Sequence, residues 1–455
     1  MKVAFLTLGC KVNFYETEKM SEQFRQKGFD VVDFQEEADI YVVNTCTVTN
    51  IADRKSRQML HRAKKKNPDS FVVAVGCYVE SGGEELLADK AVDAAFSNKE
   101  KESVAERIIE RFYAERPDYR MDTESCTTGI DRNDVSGKSV TLQHDRTRAY
   151  LKIQDGCNQF CTYCMIPYVR GRGVLRSTPS EEVVLQVEEL AAQGYKEVVL
   201  TGIHLSSYGV DLELQKESEY YSAMDFIRLE GMPLIRVMRE VSKIEGIERI
   251  RLGSMEPRII TEKFLMEITK LPKVCPHFHL SLQSGCDSVL RRMNRHYTTV
   301  EYKEKVDLLR KYYENPAITT DVIVGFPGET EEEFEQTISY LKEIELADIH
   351  VFKYSERTGT PAAAMKDQVR PEVKNQRSDR LIADTEQYRK KFGSLFTGKR
   401  EKVLFEETSV ENGIRYLAGH NERYVKIGVL YEEAREKGYL PNAIHEIVVE
   451  KILSK

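Results

Sequence analysis

The chain has 455 residues, 41% hydrophobic and 31% charged, with a formal net charge of -7. That length excludes a single core and predicts roughly three domains, while the composition is that of a soluble globular protein and the acidic balance gives no global sign of nucleic-acid binding. No apolar run approaches the ~20 residues needed to span a bilayer, and the short apolar stretch of MKVAFLTLGCK is interrupted by Cys10, so a cytoplasmic protein with no membrane partner is expected.

In chain order, residues 1–120 alternate apolar runs with helical patterns, as a small parallel α/β domain does. KVAFLTLGC, ADIYVVNTC and SFVVAVGC read as strands, separated by the amphipathic ETEKMSEQFRQKG and by RKSRQMLHRAKKK (Arg54 to Lys66), which is rich in Lys and Arg and has no acid. Each strand ends in a cysteine. Ligands of open parallel sheets gather beyond the carboxyl ends of the strands, so Cys10, Cys46 and Cys77 are expected to converge. The basic segment reads either as a solvated helix face or as a surface for phosphates.

Residues 121–146 are polar and turn-rich and read as a linker. From 147 to 385, RAYLKIQDGC, YKEVVLTGIHL, RIRLGSMEP, HFHLSLQSG, TTDVIVGFPGE and DIHVFKYSER read as strands, with helical patterns such as EEVVLQVEELAAQG between them. This predicts an open or partial (β/α) barrel whose active site lies at the carboxyl ends of its strands. In the last segment, 386–455, KREKVLFEET, GIRYLAGHN, RYVKIGVLY and HEIVVEKIL are short strand candidates, with one helix around EEAREKG. A small all-β barrel is expected there, either an RNA-binding module or a structural cap. Its removal is expected to spare chemistry in the barrel.

Nine cysteines in a long chain of this kind favour metal binding or catalysis over a disulfide framework. GCNQFCTYC places Cys157, Cys161 and Cys164 in the first barrel loop. Zinc is one reading, although such sites usually pair two short knuckles and this loop supplies no histidine. An iron–sulfur cube is the other: three thiolates leave one iron open for a small ligand. Cys126, Cys275 and Cys286 read as small buried hydrophobes or other non-ligands, with Cys286 after SLQSG placed near the site, and His204 and His279 as strand-end residues without an assigned role.

CNQFCTYC, with Tyr163 before the third cysteine, resembles the Cys-x3-Cys-x2-Cys motif of the radical S-adenosylmethionine enzymes. The resemblance implies that the open iron is chelated by S-adenosylmethionine, which an electron from the cluster cleaves to a 5′-deoxyadenosyl radical. LGCKVNFYETE, VVNTCTVT and AVGCY are similar to the amino-terminal cysteine blocks of the methylthiotransferases, whose domain order (three-cysteine α/β domain, radical barrel, small β module called TRAM) matches nearly the whole chain. The family implies two 4Fe-4S clusters, one on Cys157, Cys161 and Cys164 that makes the radical and one on Cys10, Cys46 and Cys77 that carries or hands over sulfur. It also implies S-adenosylmethionine as cofactor, tRNA as partner, an electron donor and a sulfur donor.

By the same resemblance, the loops holding Gly202, Ser206, Glu256, Gln283, Ser284 and Gly325 are expected to face the cofactor, with a turn or helix-cap role as the plain alternative. No acid/base residue is assigned, because the carbon attacked offers no acidic proton. CKVNFYETE and GCNQFCTYCMIPYVRGRGVLRS are closest to the branch that modifies N6-threonylcarbamoyladenosine beside the tRNA anticodon; other branches act on isopentenyladenosine in tRNA or on an aspartate of a ribosomal protein. Arg170, Arg172 and Arg176 are the expected partners of the threonyl carboxylate. A zinc-dependent, non-catalytic RNA-binding protein is the alternative of a different class.

Overall fold

The computed structural model describes residues 1–100, 103–119, 147–214 and 221–454. The expected linker 121–146, and Cys126 with it, lies outside the described residues. The described residues fall into two compact units, 1–119 with 165–172, and 147–164 with 173–454.

In the first unit, β1 (Lys2–Thr7), β2 (Asp30–Val32), β3 (Ile40–Thr45), β4 (Phe71–Gly76) and β5 (Ala94–Phe96) form a parallel sheet in the order β2-β1-β3-β4-β5. The three cysteine-ending strands are its centre. β3 and β4 are buried along their whole length, which explains their unbroken apolar character. Successive residues face opposite sides: Ile40, Val42, Phe71 and Val73 pack against α1 (Lys11–Gln26) and α4 (Val104–Glu115), with α2 (Asn50–Lys66) and α3 (Cys77–Leu87) covering Tyr41, Val43, Val72 and Ala74. In α2, Thr49 caps the first turn and Ser56, Leu60 and Ala63 face inward, leaving most of the basic side chains outside. The edge strands β2 and β5, three residues each, are too short to announce themselves by periodicity.

The second unit begins with β6 (Arg148–Asp155), which pairs with the short antiparallel β7 (Arg176–Ser177) and the parallel β8 (Glu197–Gly202), itself beside β9 (Arg249–Leu252). After Gly253 the arc continues as β10 (Ser254–Met255), β11 (His277–Leu280), β12 (Ala317–Val324) and β13 (Asp348–Lys353), all parallel. This is the expected partial barrel. Helices Thr299–Tyr312 and Glu331–Ile344 are opened by capping boxes at Thr298 and Thr330, so the TTVE and ETEEE stretches are helix starts.

β14 (Arg400–Glu411), β15 (Ile414–Asn421), β16 (Lys426–Leu430), β17 (Ile444–Val448) and β18 (Lys451–Ile452) form the antiparallel module, in the order β17-β14-β15-β16-β18. HEIVVEKIL, read as one strand, is two: it leaves the β14 edge after Val448 and joins the β16 edge at Lys451, so one short segment covers both sheet edges. The expected boundary at 385/386 falls inside the helix Pro371–Ser394, which continues to the module.

The module covers the amino-terminal ends of the barrel strands, over a buried cluster of charge. Glu197 lies 2.8 Å from both Arg148 Nε and Arg251 Nε and 3.7 Å from Arg249. Arg148 also pairs with Glu406 of β14, while Arg249 donates to the carbonyls of His420 and Lys402 and Arg251 to that of Glu422. Burial alone raises a carboxyl pKa, but Arg251, Arg148 and Arg249 outweigh it and hold Glu197 down at about 2. The module is therefore part of the barrel's floor. Deleting it strips three buried arginines of their partners, so a stability cost to the barrel accompanies its removal.

Glu197→Gln is expected to destabilise the second unit by about 3–5 kcal/mol, the usual cost of leaving buried charges uncompensated. Because the folded pKa is depressed from 4.5, the carboxylate's contribution is present above about pH 4.5 and lost as pH falls toward 2. Denaturation at neutral pH and near pH 3 should therefore show a smaller acid loss in the variant.

Two candidate three-cysteine centres

Cys10 follows β1 and precedes α1, Cys46 follows β3, and Cys77 opens α3 directly after β4. Because these three strands are neighbours, their carboxyl-end turns bring the thiols together. The approach is close: Gly9 has φ +102°, and a Cβ there would sit 2.8 Å from Cys46 Sγ. Cys46 and Cys77 are buried and Cys10 is exposed. Burial, then Cys77 and Cys10, push the Cys46 thiol up to about 11, so this sulfur lies within electrostatic range of the other two.

The walls of this pocket are polar. Arg170 is buried; its Nε donates to Cys77 Sγ at 3.3 Å, Nη1 to Glu16 at 2.9 Å and Nη2 to Asn13 Oδ1 at 2.9 Å. Asn98 Nδ2 approaches Cys77 Sγ at 3.6 Å, and Asn13 Nδ2 ties the Leu8 and Thr45 carbonyls of two cysteine turns together. Arg170 therefore belongs to the cysteine pocket, and the substrate contact expected of it is withdrawn. Arg172 and Arg176 are exposed. Asn13 and Glu16 had a readable signal, being polar residues on the buried stripe of α1 with Val12, Thr17, Met20 and Phe24.

In the second unit, the loop after β6 carries Cys157, Cys161 and Cys164. Gly156 (φ +80°) and Phe160 (φ +47°) turn the chain, and the turn is fixed from outside: Asn294 Nδ2 donates to the Phe160 carbonyl, Thr162 N to that of Met293, and Asn158 Nδ2 to that of Tyr221. Burial and then Cys161 push the Cys157 thiol up to about 12. Arg295 Nη1 donates to Cys161 Sγ at 3.2 Å. Nothing in the sequence linked Arg295 to a cysteine so far upstream.

The residues expected at the cofactor divide into two groups. Glu256 N donates to Ser206 Oγ at 2.9 Å, and the Glu256 carboxylate holds Arg258 at 2.6 Å; Arg295 feels both Cys161 and Glu256, which places Ser206 and Glu256 in the loop's neighbourhood. Gly202 sits against Gln154, whose amide binds His204 N and the Asp155 and Gly156 carbonyls, coupling the β8 turn to the cysteine loop. Gln283 (φ +75°) bonds through its main chain to Asp321 and Ile323. The buried Ser284 hydroxyl turns to Thr337, and the turn at Gly325 is closed by Glu329, so these two shape the wall.

His204, left unassigned by the sequence, lies here too. Burial, Arg295 and Arg258 push its pKa down to about 3, so the ring is neutral. Its Nε2 and Arg258 Nη2 are buried with no partner among the described residues, which fits a site built for a polar ligand. Cys275 and Cys286 are buried, Cys286 among Val289, Met293 and Phe326, as expected of non-ligands.

Thiols gathered at strand ends in each unit, with an arginine on each set and orphaned polar atoms beside one, fit two metal centres, one of them open to a polar ligand. The Radical SAM superfamily model matches residues 151–341, and a model described as uncharacterized protein family UPF0004 matches residues 2–97. The threonylcarbamoyladenosine tRNA methylthiotransferases MtaB of Bacillus subtilis and Aquifex aeolicus are 40% and 39% identical, over 93% and 94% of this chain and 89% and 99% of theirs. A tRNA-2-methylthio-N(6)-dimethylallyladenosine synthase of Clostridium botulinum is 34% identical over 89% of this chain and 85% of its own. The solved radical S-adenosylmethionine methyltransferase TsrM of Kitasatospora setae shares the fold at TM-score 0.52 and 14% identity, covering 77% of this chain and 72% of that one. The chain belongs to the methylthiotransferase family of radical S-adenosylmethionine enzymes.

Arg170→Met leaves Glu16 buried without its cation. The expected result is a loss of about 3–5 kcal/mol from the first unit and depleted iron in a protein whose Cys157–Cys164 centre still loads. Arg170→Lys, which keeps charge but not the fork, should fall between the two in melting temperature and iron content.

Proposed function

We propose that this enzyme adds a methylthio group at C2 of N6-threonylcarbamoyladenosine at position 37 of tRNA. The observation that carries this reading is the pair of MtaB relatives at 39–40% identity along nearly the whole chain, together with both cysteine sets assembled at strand ends. The isopentenyl-type relative is less similar, at 34%.

Cys157, Cys161 and Cys164 would hold one 4Fe-4S cluster and Cys10, Cys46 and Cys77 the other, three thiolates to each. When bound, these clusters and S-adenosylmethionine supply the one-electron chemistry, the methyl group and the sulfur that no side chain here supplies. The protein positions and excludes. Arg295 and Arg170 hold Cys161 and Cys77 by charge-assisted hydrogen bonds. Ser206, Glu256, neutral His204 and Arg258 offer hydrogen bonds to the cofactor's polar groups, with Gly202 and Gln283 contributing main chain and Ser284 and Gly325 fixing the wall.

Arg172 and Arg176 are the proposed partners of the threonyl carboxylate. Residues 1–120, 147–385 and 386–455 then serve as sulfur-carrying domain, radical barrel and TRAM-like RNA-binding module, the last also forming the barrel floor. An electron donor and a sulfur donor complete the reaction. No described helix is long and apolar enough to cross a membrane.

Mass spectrometry of tRNA nucleosides from a strain lacking the gene should show N6-threonylcarbamoyladenosine persisting and its 2-methylthio derivative gone. Loss of the isopentenyl derivative instead, or an altered ribosomal protein with unchanged tRNA, would assign another substrate. Changing the exposed Arg54, Lys55 and Lys65 of α2 to Glu is expected to weaken tRNA binding and flatten its dependence on salt, by about one unit of log–log slope per lost phosphate contact.

A further inference from the structure

The barrel also carries a constellation of metal-ligand type that contains no cysteine. His279 of β11, Asp321 of β12 and His350 of β13 come from three adjacent strands whose register sets His279 beside Thr319 and Asp321 beside His350. Phe278 points to the helix side, where it meets Tyr313. His279 and, two residues on from its partner Thr319, Asp321 therefore line the inside of the arc, with His350 opposite Asp321.

Asp321 lies between the two rings: Oδ2 is 3.2 Å from His279 Nε2 and Oδ1 is 3.3 Å from His350 Nδ1. The three ligand atoms lie within 4.8 Å of one another. Atoms bound to one ion at about 2.1 Å stand about 3–4 Å apart, so a small turn of the half-exposed His350 ring completes the set. His279 Nδ1 is 2.9 Å from Thr319 Oγ1, the outer contact that ligating histidines usually make to fix the ring. In the tautomer with Nδ1 donating to Thr319 Oγ1, the Nε2 lone pair faces the Asp321 carboxylate and is free to take an ion.

We propose that His279, Asp321 and His350 bind one divalent first-row transition ion, of the zinc or ferrous class, inside the barrel. Two imidazoles and one carboxylate suit these metals and leave coordination positions open. The half-exposed His350 directs those positions to the barrel interior, where an oxygen of water or of an anionic substrate can enter. The site contains no sulfur, which separates it chemically from both cluster sites, and it does not depend on the identity of the nucleoside.

The test is zinc uptake by cluster-loaded protein after dialysis against micromolar Zn2+, measured with iron and sulfide in the same sample. The expected result is about one zinc per chain with unchanged iron, a zinc edge showing nitrogen and oxygen ligands, and affinity reduced about tenfold or more in both His350→Ala and Asp321→Asn. His350 is half exposed on the last strand of the arc, so His350→Ala should retain the wild-type melting temperature in metal-free buffer. No zinc uptake, a sulfur-ligated zinc, or wild-type uptake by either variant would overturn the proposal and leave a His–Asp–His group bridged by ring protons.

Discussion

Holding three thiols within electrostatic range of one another is the constraint on which the rest of this structure depends. Such a group resists ionisation, and the protein shows it twice: Cys46 is driven up to about 11 and Cys157 to about 12, in each case by burial and then by neighbouring sulfur. Metal binds the thiolate form, so a cationic guest stabilises such a set. Until then a protein that assembles them needs rigid turns and some compensating positive charge. Glycines in left-handed conformation provide the first, at Gly9 and Gly156. The second comes from one arginine per set, Arg170 on Cys77 and Arg295 on Cys161.

The second unit separates chemistry from stability along its strands. At the carboxyl ends stand the cysteine loop, the Ser206–Glu256–Arg258 group and polar atoms without partners, all features that cost stability until a ligand arrives. At the amino-terminal ends, Glu197 and its three arginines are closed off by Glu406 and by carbonyls of the β module. This division is usual for parallel (β/α) architecture, where one end of the barrel builds the site and the other holds the fold. A β module fused to the holding end can therefore add surface without entering the reactive end.

Much of this was legible in the sequence because it depends on local patterns. Strands such as SFVVAVGC are apolar without interruption because both faces are covered, and a cysteine at the end of each points to the carboxyl-end rule. The basic α2 and the short strands of the module were equally local. What escaped was built from contacts across the chain. Arg170 read as a substrate residue from its place in YVRGRGVLRS, yet its partners are Glu16 and Cys77; Arg295 and Cys161 are separated by most of the barrel. The arginines of RIRL are buried with no mark of it in the strand pattern, because their cover is supplied by strands more than a hundred residues later. HEIVVEKIL read as one strand because a two-residue crossing between sheet edges leaves no mark on hydrophobic periodicity.

The central claim is that the two cysteine sets hold separate clusters with separate tasks. It is tested most directly by comparing anaerobically reconstituted Cys10→Ala/Cys46→Ala/Cys77→Ala and Cys157→Ala/Cys161→Ala/Cys164→Ala variants for iron, reductive cleavage of S-adenosylmethionine and methylthio transfer to tRNA. The account predicts that each variant keeps about half of the iron. The first should still cleave S-adenosylmethionine but transfer no methylthio group, and the second should do neither. Methylthio transfer by the first variant, or cleavage by the second, would contradict it.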